Sequence, residues 1–152
     1  MGTQQLLLIV LGVIIVGVAI AVGITIFNNQ AYNSNQQAVA SELNNYAAMA
    51  IQWWKTPIAQ GGGGQVLTDI TAAKIATWVG LTETDWTTTT TNITDSGYFW
   101  VDGATTAGIV TIIGVGDEVR NSNKPKVTTT IDLTDSSVES AVSTQSTATT
   151  PG

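Results

Sequence analysis

The chain has 152 residues, no cysteine, no histidine and a net charge of −6, set by 11 acids and 5 cations. Those counts exclude disulfides, thiolate metal sites and any chemistry that needs a cysteine or histidine nucleophile, base or zinc ligand. So few cations also argue against a nucleic-acid partner, because a phosphate backbone is held by clustered Lys and Arg.

The first predicted element is apolar. Leu6 to Phe27 contains no charge, and nearly three quarters of it is Val, Ile, Leu or Phe. As a helix rising about 1.5 Å per residue it spans roughly 33 Å, close to the thickness of a bilayer's hydrocarbon core. Leaving these side chains in water would cost on the order of 25 kcal/mol, more than the net stability of a typical domain. Lipid or protein must therefore cover the segment. A secretory signal peptide is the minor alternative: small residues surround Ala21 to Gly23, but a basic stretch before the apolar run is missing. Gly12 and Gly23 fall near one helix face, and with Gly17 they suit close approach of neighbouring helices. Glycine is also simply frequent in apolar helices.

The helical period continues past Phe27. Val39, Leu43, Tyr46, Ala47, Ala50, Ile51 and Trp54 recur at amphipathic spacing, and Ser41, Asn44, Asn45, Ala48 and Gln52 lie opposite. No Gly or Pro interrupts Ile24 to Thr56, and Pro57 should stop the helix. One helix from about Thr3 to about Lys55 is expected, apolar all round at first and then carrying a single stripe for a head domain to cover.

Gly61 to Gly64 reads as a flexible tether; it lacks the Lys-Ser or Lys-Thr of a phosphate loop. Thr68 or Asp69 should cap a short helix over Ile70 to Val79, ended by Gly80, with Ile70, Ile75, Trp78 and Val79 buried. Strands are expected at Tyr98 to Val101, with a turn at Asp102-Gly103, at Ile109 to Val115, and at Val127 to Leu133, whose alternation has period two. Asn121 to Asn123 should turn. The fold class is α+β: a long N-terminal helix packed on a small head of three or four antiparallel strands. The chain divides into an apolar helix (1–27), its amphipathic continuation (28–56), a globular head (57–135) and a loose Ser/Thr-rich tail (136–152) with Val138 to Val142 as a possible anchor.

This plan resembles type IV pilins and related pilin-like subunits of bacteria and archaea. The architecture matches over the whole chain; the specific part is Met1 through about Trp54. The resemblance implies a subunit trimmed by a prepilin peptidase, held in the membrane, and moved by assembly machinery into a homo-oligomeric extracellular filament. Leu7, Leu11, Ile14, Val18, Val22 and Phe27 would then contribute to the filament core, with Gly12, Gly17 and Gly23 in close helix packing. If Gly2 ends a leader, Thr3 begins the mature chain; otherwise Met1 is the processed end. With Met1 as the processed end, Gln5 stands where most bacterial members carry a glutamate that pairs with a neighbour's amine; in either case that acidic residue is missing. Amide oxygens accept hydrogen bonds more weakly than carboxylates.

Other features suggest little chemistry. Asn92-Ile93-Thr94 is a glycosylation sequon in a Thr-rich stretch, so Asn92 is the modification candidate. Asp132, Asp135 and Glu139, or Asp117 with Glu118, carry oxygen donors that would suit calcium, but they read as surface acids, and no metal site or cofactor is assigned. No nucleophile–base pairing is visible, so an enzyme is not expected. The competing reading is a single-span, membrane-anchored binding domain that never polymerises.

Overall fold

One helix, α1, runs unbroken from Gly2 to Lys55, about 80 Å at about 1.5 Å per residue. The structure is a computed structural model that describes residues 2–81, 92–105 and 107–146. The amphipathic half of α1 packs as its spacing predicts. Val39, Leu43, Ala47, Ala50 and Trp54 are buried together with Tyr32 and Trp53, Tyr46 and Ile51 are half-buried, and the opposite polar positions face solvent.

The glycine run after α1 is not a tether. The Gly63 N–H donates to the Trp53 carbonyl at 2.8 Å, Gly64 to Thr56 at 2.9 Å and Gln65 to Trp54 at 3.1 Å. These bonds take up carbonyls that the helix end leaves unpaired. A Cβ on Gly63 would stand 2.8 Å from the Trp53 ring, and one on Gly62 would stand 2.2 Å from the Thr56 carbonyl oxygen. The glycines are needed for close approach, and the segment seals the far end of the core.

The short helix α2 spans Ala72–Val79, two residues shorter than predicted. Thr71, not Thr68 or Asp69, caps it: its Oγ1 accepts the Lys74 N–H at 3.4 Å. Leu67–Asp69 instead forms a single 3-10 turn. Gly80 ends α2 with φ of 79°, a conformation that glycine adopts without strain. Ile70, Ile75 and Val79 are buried, but Trp78 is 37% exposed.

Five strands follow: β1 (Asn92–Thr94), β2 (Gly97–Ala104), β3 (Ile109–Gly116), β4 (Asn123–Asp132) and β5 (Ser137–Ser146). They form an antiparallel meander in chain order. Asp102-Gly103 is not a turn. Val101 pairs with Ile112 and Gly103 with Thr111, leaving Asp102 as the extra residue of a bulge. The chain reverses further on, where Gly108 (φ of 86°) donates to the Thr105 carbonyl at 3.0 Å.

The expected loose tail is also corrected: residues 137–146 are an edge strand paired with β4 along its whole length. The reversal before it is built by side chains. Asp132 Oδ1 accepts the Thr134 N–H at 2.9 Å, and Asp135 Oδ1 accepts the Ser137 N–H at 2.7 Å. Such Asx turns reverse a chain without any hydrophobic signal.

The core lies between α1 and one sheet face, where Phe99, Val101, Val110, Ile112, Val127, Ile131 and Leu133 are fully buried. Gly114 sets how closely the layers approach, since a Cβ there would lie 2.7 Å from the Phe99 ring and 2.8 Å from Val39. Trp100, Ile113 and Val115 form a second small cluster. Pairing of Val110 and Ile112 inward puts Ile113 and Val115 on the other face. The Trp100 Nε1 is buried with no hydrogen-bond partner among the described residues.

Candidate functional site: the bare half of the helix

Every large apolar residue from Leu6 to Phe27 is exposed, from 48% at Val10 to 70% at Leu7. Among the described residues, α1 alone is long and apolar enough to cross a membrane, and none of its apolar stretch is buried within the chain. Leu7, Leu11, Ile14, Val18, Val22 and Phe27 are all uncovered, as are the residues between them. A single chain therefore singles out no face. An added Cβ at Gly12, Gly17 or Gly23 would meet nothing within 4 Å, so nothing inside the subunit requires those glycines. Gly2, Thr3 and Gln5 are exposed in the first turn, which carries no acid; Met1 lies outside the described residues.

α1 is pinned to the head just beyond its bare half. The Arg120 guanidinium sits 4.2 Å over the Tyr32 ring, a cation–π contact. One turn on, Asn35 donates through Nδ2 to the Ser96 carbonyl at 2.8 Å and accepts the Glu118 N–H at 3.4 Å. Further along, the Glu42 carboxylate accepts the Thr94 hydroxyl at 3.0 Å and the Ser96 hydroxyl at 2.8 Å. These contacts clamp the β1–β2 and β3–β4 turns to α1. The predicted turn near Asn121 is present: Arg120 and Asn123 exchange backbone hydrogen bonds of 2.8 and 3.0 Å, with φ of 51° at Asn121 and 60° at Ser122. Positive φ at both central residues matches the right-handed twist of a hairpin.

Four residues beyond Glu42 on the same helix, the Tyr46 ring lies 5.4 Å from Phe99, tilted by 60°. Burial, and secondarily the Glu42 charge, push the Tyr46 phenol above its ordinary pKa. A second uncovered strip borders α1. Val138 and Val142 of β5 pair with the inward-facing Ile131 and Val127, yet both are exposed. Val142 lines a hollow with Asn33, Gln36, Gln37 and Ala40.

The remaining predicted features stay dispersed. Asn92 opens β1, and the hydroxyl of its sequon partner Thr94 is engaged by Glu42 and by the Ser96 N–H. No cluster of acids able to hold a metal occurs among the described residues. Asp117 instead pairs with Lys124 at 3.4 Å. Hydrogen bonds from the Thr134 side chain and backbone hold the Asp132 carboxyl below its usual pKa. Sequence reasoning missed the pinning residues Tyr32, Asn35 and Arg120, since nothing in their spacing reports that they meet. No known protein family, no curated protein and no solved structure matches the chain.

Proposed function

We propose that this chain is the repeating subunit of an extracellular filament of the type IV pilus kind, polymerising through the bare half of α1. The observation that carries this reading is the unbroken, pinned helix whose Leu6–Phe27 half is uncovered on every side. Covering it removes an exposure that would cost on the order of 25 kcal/mol. Two coverings suit it in turn: lipid before assembly and the helices of identical copies afterwards.

The chemistry of that exchange is specific. Lipid tails are as apolar as leucine, so moving the helix from bilayer to bundle gains little from the hydrophobic effect and relies on close packing and an energy-consuming assembly machine. Once the bundle stands in water, the hydrophobic term opposes dissociation. A heterologous contact that does not close into a ring gives a helical polymer. Prepilin peptidase and the assembly machinery are the partners this reading requires. The heads, rich in Thr and Ser, would form the sheath.

Two features favour a filament over a permanent anchor. Anchors commonly lead into a flexible linker, whereas α1 continues straight into the core. Anchors also show a positive-inside bias, whereas the first cation after the apolar stretch is Lys55.

The test is to shear cells expressing the protein, pellet the released material, and image it by cryo-electron microscopy with mass spectrometry of the N-terminus. Thin filaments built from this chain are expected, and the mass identifies Met1 or Thr3 as the first residue. Recovery solely as membrane-bound monomer would overturn the filament reading in favour of an anchored binding domain.

A further inference from the structure

We propose that the pole of the head nearest the bare helix is a lipid-contacting surface, with the β3–β4 turn lying among the headgroups and Val119 at the acyl boundary. The inference rests on Leu6–Phe27 spanning a bilayer before assembly.

Position comes first. Val119, Arg120 and Asn121 share one hollow with Thr25, Asn28 and Asn29 of α1. Thr25 belongs to the last turn of the apolar stretch. A bilayer deep enough to cover the helix through Phe27 therefore reaches the turn as well. Nor can the turn ride up independently. Arg120 is stacked on Tyr32, and the Glu118 N–H is bound to Asn35, so the depth of the helix sets the depth of the turn.

The chemistry of the pole agrees with its position. Val119 is 49% exposed immediately before the tight Arg120–Asn123 turn, while the valines within β2, β3 and β4 are buried. Arg120 and the Asn28, Asn29 and Asn121 amides offer donors at headgroup level. The charge of the turn fits as well. Residues 117–126 carry Asp117 and Glu118 against Arg120, Lys124 and Lys126, a net charge of +1, so with −6 for the whole chain the remainder sums to −7. An anionic membrane surface, whose potential reaches about a Debye length, would repel the rest of the head and tolerate this pole. The head would thus rest upright, turn side down.

The absence of native cysteine makes a site-directed spin label unambiguous. The full chain carrying Val119→Cys would be labelled with a nitroxide and reconstituted in phosphatidylcholine–phosphatidylglycerol vesicles at a ratio of about 4:1. Val16→Cys reports the centre of the apolar stretch, and Ile58→Cys reports the opposite pole. Collision rates with oxygen, which partitions into lipid, and with an aqueous nickel chelate give the depth of each label. The expected order is Val16 deep, Val119 at the interface and Ile58 in water, with nickel access at Val119 several-fold below that at Ile58. If Val119 matches Ile58 while Val16 is deep, the lipid contact is overturned and the membrane span stands. If Val16 is itself aqueous, both fall. Glu118→Cys, exposed beside Val119, gives the same discrimination if the first variant does not fold.

Discussion

The two halves of α1 share one backbone geometry and opposite surroundings. Val39, Leu43, Ala47 and Ala50 are fully or almost fully buried against the sheet, whereas Leu6 through Phe27 has no cover at all. The covered half alternates apolar with Ser, Asn and Gln, so its helix is stabilised by the face it buries. The bare half has no such face. It is rich in β-branched Val and Ile and interrupted by Gly12, Gly17 and Gly23, all unfavourable to helix in water. A bilayer or a packed bundle reverses that preference, because a helix there satisfies every backbone group internally. One sequence element thus contains two solutions to burial, one completed within the chain and one awaiting other molecules.

The sharpest way to break this division is at its far end. Trp53 is buried and seals the core against the glycine turn. Trp53→Ala should lower the stability of the head by about 3–5 kcal/mol, read by chemical unfolding in detergent micelles with near-ultraviolet circular dichroism. Trp54 shares that core and should report the same midpoint. An unchanged midpoint would mean that the glycine turn, not Trp53, holds the end closed.

A matched pair tests the contrast within the helix. Leu43→Ala empties a fully buried site and should cost the head about 2–5 kcal/mol. Leu11→Ala, in the bare half, should leave head unfolding within about 0.5 kcal/mol and, under the proposed filament function, weaken filament yield instead. Equal effects on the head from both substitutions would show that the halves are not independent. A smaller change, Gly114→Ala, pushes a methyl into Phe99 and Val39 and should destabilise by about 1–3 kcal/mol. If it proved neutral, the spacing between α1 and the sheet would be adjustable.

Much of this arrangement was readable from pattern. The length of α1, its stripe from Val39 to Trp54, its stop at Pro57, the cap at Gly80 and the Asn121 turn all follow from periodicity and local backbone chemistry. What was not readable depended on tertiary contact. Asp102-Gly103 has the composition of a turn but is a bulge, because β2 continues its pairing with β3 on either side. Gly61 to Gly64 has the composition of a linker but packs against Trp53 and Thr56. β5 shows no clear apolar alternation; pairing with β4 and the Thr129–Ser140 hydroxyl contact of 2.9 Å define it instead. Of the bare helix, the sequence displayed the apolar residues fully, while the clamp of Tyr32, Asn35 and Glu42 emerged only in three dimensions.

The smallest expected effect comes from Tyr46, and it separates the covered half by titration. Its phenol is raised above the ordinary value of 10.0 by burial and then by Glu42. The folded head therefore favours the neutral phenol more than the unfolded chain does. Stability from this preference is intact below about pH 10, and it is lost as the pH climbs through the higher folded value. Tyr46→Phe keeps the ring against Phe99 and removes the ionisable group. The variant should match the parent near neutrality and lose less stability between about pH 9 and about pH 11, measured as unfolding midpoints across that range. Parallel loss in both proteins would place the alkaline sensitivity in other groups. No such limb should be introduced or removed by substitutions between Leu6 and Phe27, since that half of α1 contains no titratable side chain; a pH-dependent change there would mean that covering the bare helix alters the burial of Tyr46, coupling assembly to the head.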